Sequence, residues 1–332
     1  MGHCVSGFVL EVEELHVALG LEDEEKVGVA DVSFTVERGE TVALVGESGC
    51  GKTLTALALL GLVPSGFHVS AKAMRFTSKE IGVVDLLTSS ERRLRDIRGR
   101  RIAMVFQNPT SALNPVMTVG HQIVGVLRRH TDLRGHDARN RARELLDLVE
   151  VADAPRRLGE YPHQLSGGVQ QRTMIAMALA GAPELLIADE PTTALDATVQ
   201  AQIIELLERI QGEFGMSVLL ISHDLGVVAQ MADRVDVLYA GRIVEYASVR
   251  ELYQDATHPY TVGLLRIASV PAIGRSEKLE PIPGAPPEFG RRVRGCPFAP
   301  RCTFVFDRCL QELPQLSGLA THQVACHLVN KK

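Results

Sequence analysis

Residues 41–53 read TVALVGESGCGKT, and this stretch decides the fold. Thr41 to Gly46 is a continuous β-branched and apolar run, the composition of a strand buried on both faces of a sheet. Gly46–Thr53 then matches G-x-x-x-x-G-K-S/T, and LTALALLGLV follows with the composition of a helix. Strand, glycine-rich loop and helix in that order make a cradle for phosphate. Its glycines, Gly46, Gly49 and Gly51, let the backbone N–H groups of the loop, which also holds Glu47, Ser48 and Cys50, turn inward. The helix N-terminus adds a positive dipole, Lys52 reaches the β- and γ-phosphates, and Thr53 supplies a hydroxyl to Mg²⁺.

Outward from the loop, ELLIADE (Glu184–Glu190) is a second buried strand. It carries Asp189, a carboxylate suited to the Mg²⁺ shell, and then Glu190, placed to orient and polarise an attacking water. An acidic pair after an apolar strand means little alone and much beside a phosphate loop. RIAMVFQ, ending at Gln107, and SVLLISHD, ending at Asp224, read as further buried strands. The run from Gly135 to Val151 has helical spacing with a charged outer face. RVDVLYAGRIVEY (Arg234–Tyr246) reads as a hairpin turning at Ala240-Gly241, and Val9–Glu37 as short alternating strands around an acidic loop. Strands alternating with helices predict a three-layer α/β domain.

Composition narrows the function. The chain has 332 residues, 45% hydrophobic and 5% aromatic with no Trp, so its core is aliphatic. A net charge of −5, from 35 basic and 40 acidic residues, gives no global attraction to nucleic acid. The strongly basic stretch ERRLRDIRGRR (Glu91–Arg101) is interleaved by two acids and reads as a solvated surface. The N-terminal stretch turns acidic before an apolar signal-peptide core can form. The apolar runs reach about half of the roughly 20 residues that cross a bilayer. Any membrane-spanning part would therefore belong to another chain.

LSGGVQQR (Leu165–Arg172) precedes the helical run TMIAMALA, and here the chain resembles the ABC ATPase family, whose signature is LSGG. The resemblance spans roughly residues 8–265 and implies an ABC-type ATPase domain with an antiparallel β subdomain and a helical subdomain at roughly 108–180. Ser166, Gly167 and Gly168 open a helix, a ready anion site. By resemblance this site grips the γ-phosphate of ATP bound to an opposite subunit, so that two ATP molecules are sandwiched in a head-to-tail dimer. The resemblance also gives Gln107 contact with Mg²⁺ and the water, Asp196 contact with the partner subunit, and His223 contact with the γ-phosphate. Two positions depart from the family pattern. Leu19 or a neighbour stands where an aromatic residue usually stacks on adenine, which implies relaxed base selectivity. Cys50 stands where Ser is common. Near Lys52 and a helix N-terminus a lowered thiol pKa would make it a target for oxidants, but the reading as a simple small residue is preferred.

The runs QNPTSALNPVMTVG, YPHQLSGGVQQR and HPYT (His258–Thr261), with the tail IPGAPP…GCPFAPRC, are similar to peptide-importer ATPases. That resemblance implies a peripheral protein at the cytoplasmic membrane face powering di- or oligopeptide import. Its partners would be a second, non-identical ATPase, two permeases and, indirectly, an extracytoplasmic substrate-binding protein. Related importers carry nickel or oligosaccharides. A soluble ABC ATPase acting on DNA or the ribosome is the rival reading, opposed by a single core with no heptad run. A regulatory module with a vestigial ATPase is opposed by the intact Lys52, Asp189, Glu190 and His223.

Four of the six cysteines, Cys296, Cys302, Cys309 and Cys326, lie in the C-terminal extension, residues 266–332, beyond a Pro-rich segment (Pro281–Gly290) read as extended. Their spacing leaves open a four-thiolate iron–sulfur cluster, a zinc site, a disulfide pair or separate thiols. The resemblance implies a 4Fe–4S cluster that clips together a domain too small to build its own core. His322 and His327 read as surface residues beside it.

Overall fold

The computed structural model describes residues 7–20, 26–193, 195–268, 282–290 and 294–329. In chain order the first strands are β1 (Phe8–Leu19), β2 (Lys26–Glu37), β3 (Thr41–Val45), β4 (Phe67–Ser70), β5 (Ala73–Ser78) and β6 (Gly82–Asp85). They are followed by β7 (Ile102–Val105), β8 (Leu185–Asp189), β9 (Ser217–Ser222), β10 (Arg234–Tyr239), β11 (Arg242–Ser248), β12 (Ser317–Leu319) and β13 (His322–Val324). The first helices are α1 (Lys52–Leu59), α2 (Glu91–Ile97), α3 (Pro109–Ala112), α4 (Val119–His130), α5 (Gly135–Leu148) and α6 (Ala154–Arg157). The rest are α7 (Gly167–Leu179), α8 (Ala197–Phe214), α9 (Leu225–Met231), α10 (Val249–Asp255), α11 (Pro259–Ala268) and α12 (Asp307–Gln311).

The chain forms two compact units. The phosphate-loop unit comprises Leu10–Thr35, Thr41–Arg75 and the chain from Leu220 onward. Every residue of β3 is buried, as its composition requires, and β3 pairs in parallel with β10, Val42 opposite Arg234. β10 turns at Ala240 and Gly241, whose φ values of 48° and 78° are left-handed, into antiparallel β11. Paired positive φ values suit the right-handed twist of a two-residue hairpin. β13 pairs with the free edge of β11, Val324 opposite Glu245, and β12 pairs with β13, so the C-terminal extension is built onto this sheet. β1, twelve residues long rather than short, pairs antiparallel with β4 and places Leu19 opposite Phe67. Residues 282–290 contain no helix, as their prolines dictate.

The signature unit comprises the chain up to Val9, Val36–Glu40 and Phe76–Leu219. β7 and β8 pair in parallel, Ile102 opposite Leu185, and α3 to α7 all fall between them in sequence, with α4, α5 and α7 packed on one another. α8 buries Ile203, Ile204, Leu206, Leu207 and Ile210 along one face. Asp196 caps it by accepting from the Val199 N–H at 2.9 Å, an interaction worth about 1 kcal/mol. Gly215 ends it with φ 57°. The expectation for Glu91–Arg101 needs correcting at its end. Arg101 is 7% exposed and ion-paired with Glu80 and Glu184, and Leu94 and Ile97 are buried, while the remaining arginines are mostly solvated. Among the described residues no helix is long and apolar enough to cross a membrane.

Candidate nucleotide site

In the phosphate-loop unit, the loop's three glycines all have positive φ: 154° at Gly46, 80° at Gly49 and 109° at Gly51. At Gly46 a Cβ would lie 2.2 Å from the Leu238 carbonyl, so a side chain there is excluded by space as well as by torsion. Gly51 is the N-cap of α1. Lys52 is 5% exposed, and its ammonium donates to the carbonyls of Gly46 at 2.7 Å and Glu47 at 3.0 Å. The lysine is thereby folded over the loop it serves. Ser48, Gly49 and Thr53 are exposed, as is His223 just after β9. Leu19 is half-buried.

For Cys50 the alternative of an oxidant-sensitive thiol is not met. Its thiol is 6% exposed and lies 3.7 Å from the Lys52 ammonium. Burial pushes the thiol above its usual range, and the lysine charge offsets this only in part. A buried, protonated thiol is a poor target for oxidants, which leaves Cys50 as a small packing residue.

In the signature unit, Asp189 ends β8 and is 2% exposed. Glu190 has φ 46°, a left-handed backbone that a residue with a Cβ rarely adopts. The turn brings its carboxylate to Gln107, whose amide donates to Oε2 at 2.7 Å, and to Thr193, whose hydroxyl donates to the same oxygen at 2.9 Å. Ser166 is the N-cap of α7, its side chain not engaged in capping, and Gly167 is exposed beside it. A Cβ at Gly168 would lie 2.9 Å from a Val199 methyl group, so a side chain there would require Val199 to shift. Asp196 is exposed at the start of α8.

Cys296, Cys302, Cys309 and Cys326 line one small cavity together with His258, Phe298 and His327. All four thiols are free, so the disulfide alternative is not present. Burial pushes Cys296 up to about 11 and raises Cys302 and Cys326 as well, which keeps these thiols neutral. Among the described residues no three His, Cys, Asp or Glu side chains are gathered as ligands of a metal ion. The two histidines are not surface residues. His322 bonds Glu245 at 2.8 Å, and His327 is 5% exposed and bonds the Glu312 carbonyl at 2.9 Å. His258 is held down to about 3 by burial, hence neutral. Its Nδ1 accepts the Tyr260 N–H at 3.1 Å, which leaves the proton on Nε2, and Nε2 has no hydrogen-bond partner.

The family profile described as ABC transporter matches residues 29–193. A "Putative peptide import ATP-binding protein" of Brucella abortus (strain 2308) is 50% identical over 310 residues, 93% of this chain and 91% of that protein. The chain belongs to the ABC transporter family. A Brucella melitensis protein of the same name is 47% identical over 323 residues, 95% of each chain. The profile of the oligopeptide/dipeptide transporter C-terminal region matches residues 244–309 of this ABC protein. Among solved structures, the ATP-binding cassette MJ0796, a dimer in a post-hydrolysis state bound to ADP and phosphate, is 27% identical with a TM-score of 0.63. That likeness covers 73% of this chain and 99% of the cassette. cbiO1 from Clostridium perfringens, part of an ABC transporter complex, gives 25% identity and a TM-score of 0.59 over 75% of this chain and 92% of its own. The fold is the ABC cassette, and the protein is an ATPase.

Two features of this ABC ATPase carried no sequence signal. Gln170 is buried inside the signature segment. Its amide donates to the carbonyls of Pro162 at 2.9 Å and Leu165 at 3.2 Å, and its Oε1 accepts from the Thr110 hydroxyl at 3.0 Å. It thus fixes the signature loop and ties it to the segment following Gln107. A buried glutamine is betrayed by its partners, which the linear sequence does not reveal. The other is Arg301, which meets Glu47 of the phosphate loop 254 positions away.

Proposed function

We propose that this chain is the ATP-hydrolysing subunit of an importer for di- and oligopeptides, working at the cytoplasmic membrane face with permease subunits. The observation that carries the reading is the joint match of an ABC cassette and an oligopeptide/dipeptide transporter C-terminal region in one chain. Names of the relatives, which point to peptide import, support the substrate class. A second ATPase as dimer partner, two permeases and an external binding protein belong to the same reading.

On this reading Gly46–Thr53 takes the phosphates of ATP, with Lys52 on the β- and γ-phosphates and Thr53 toward Mg²⁺. Asp189 is a Mg²⁺ ligand, Gln107 touches the metal and the water, and Glu190 polarises that water. His223 contacts the γ-phosphate. Ser166, Gly167, Gly168 and Asp196 face the partner ATPase. The helix-opening backbone of Gly167 and Gly168 supports an anion site, and the Gln107–Glu190 hydrogen bond supports a shared role at one water.

The proposal for the extension is a 4Fe–4S cluster held by Cys296, Cys302, Cys309 and Cys326. Four free thiols on one cavity, with the unpartnered His258 N–H on its wall, support a sulfur-ligated group there. Such a group would fasten the extension and draw the protons off the buried thiols. In anaerobically purified protein, visible sulfide-to-iron absorption with matching iron and sulfide contents is expected, and Cys302→Ser should lose it. Stoichiometric zinc without sulfide would refute the cluster.

The importer reading is tested by recovering the tagged protein from membranes and identifying what co-purifies. Two polytopic permeases and a second ATPase are the expected companions. Ribosomal or DNA-repair proteins in their place would remove the transport assignment and leave the ATPase standing.

A further inference from the structure

Glu47 puts a carboxylate into a loop whose N–H groups, helix dipole and lysine all favour anions. Left alone, its charge opposes the triphosphate that the loop takes. In the structure it is not alone. Arg301 grips it as a fork, Nη1 donating to Oε2 at 2.5 Å and Nη2 to Oε1 at 3.0 Å. The arginine side chain is 4% exposed and that of Glu47 26%, so the pair is shielded on the arginine side. Nε donates to the Pro283 carbonyl at 2.9 Å, and the guanidinium lies 5.8 Å and 6.0 Å from the ring centroids of Tyr239 and Phe298. Each contact removes a degree of freedom, leaving the fork aimed at Glu47.

The backbone of Glu47 is held as well. Its N–H donates to the Tyr260 hydroxyl at 2.8 Å, and its carbonyl accepts from the Lys52 ammonium at 3.0 Å. Tyr260 is itself locked in an aromatic cluster, 4.6 Å from Tyr239 and 5.5 Å from Phe298 between centroids. The second residue of the phosphate loop is therefore fixed through its side chain, its N–H and its carbonyl. Arg301 comes from the C-terminal extension, in a short 3-10 turn, Ala299–Arg301, between Cys296 and Cys302.

We infer that Arg301 is a positioning residue of the nucleotide site, neutralising and fixing Glu47 so that the loop presents net positive potential to the phosphates of ATP. The extension thus completes the loop's electrostatics, and its loss is felt at the site of ATP binding. The inference rests on Gly46–Thr53 being the phosphate loop, and the experiment separates the two claims.

MgATP binding to the full-length chain is titrated for wild type, Arg301→Ala, Glu47→Gln and the double variant. Arg301→Ala is expected to weaken binding about tenfold, the scale of one unit charge left unscreened near a protein surface. In the double variant the charge to be neutralised is gone, and affinity is expected to return to within about threefold of wild type. An arginine that merely anchors the extension would give no such rescue. A double variant as weak as Arg301→Ala, or an Arg301→Ala with wild-type affinity, overturns the inference. Where Arg301→Ala fails to fold, Arg301→Lys carries the test, since it keeps the charge and loses the fork. Binding about threefold weaker and relieved by Glu47→Gln is then expected, and wild-type affinity overturns the inference. Lys52→Ala should abolish MgATP binding whatever Arg301 does. Retained binding there would strike the assignment of the loop instead.

Discussion

Glu190→Gln is expected to lower steady-state ATP hydrolysis by about 10² to 10⁴-fold, the usual contribution of a positioned general base, while MgATP binding persists. The substitution keeps the size and shape of the side chain, and an amide oxygen still accepts from Gln107 and Thr193, which now share one carboxylate oxygen at 2.7 Å and 2.9 Å. What it removes is negative charge and basicity at the atom that would polarise the water. The left-handed backbone at Glu190, φ 46°, points the same way. Such a conformation costs on the order of 1–3 kcal/mol and persists where the surroundings enforce it, often at sites that need a side chain aimed. Phosphate release measured beside an MgATP titration decides the matter. Unchanged turnover would show that another group activates the water, and lost binding would show that Glu190 supports the nucleotide rather than the chemistry.

What was legible in the sequence had a local cause. The five-residue β3, the loop glycines and α1 follow one another within 20 residues, so composition and spacing sufficed. The β10–β11 hairpin announced itself by Ala240-Gly241 between two apolar runs. The signature loop was recognisable by its residues, and its helix by the run that follows. The misreadings share a different cause, which is burial by partners remote in sequence. Arg101 sits in a basic run, yet its partners Glu80 and Glu184 take it out of solvent. His322 and His327 look like surface histidines until β13 is laid beside β11 and the cavity closes around its cysteines.

Burial by remote partners also yields the second large effect. Glu245→Ala is expected to destabilise the protein by about 3–5 kcal/mol, the range for removing one member of a buried charged network. Glu245 lies on β11, on the same face as the buried Ile243 and Ala247, and is 0% exposed. Its Oε1 accepts the Thr257 N–H at 2.8 Å and bonds His322 Nε2 at 2.8 Å, while Oε2 accepts the His258 N–H at 3.1 Å. One carboxylate thereby ties β11 to the start of α11 and to β13. Alanine strands the buried His258 N–H and takes a partner from the part-buried Thr257 N–H and His322 ring, and each unmet buried donor costs roughly 1–3 kcal/mol. Glu245→Gln retains one acceptor oxygen and should cost less than half as much. Urea unfolding of the full-length chain gives both values, and limited proteolysis reports whether residues 282–329 loosen first. A cost below about 1 kcal/mol for the alanine variant, the scale of a single exposed ion pair, would mean that the hairpin and the aromatic cluster of Tyr239, Tyr260 and Phe298 hold the extension without this clamp. A full-sized loss would mean that this one buried carboxylate fastens β13 and the start of α11 to β11.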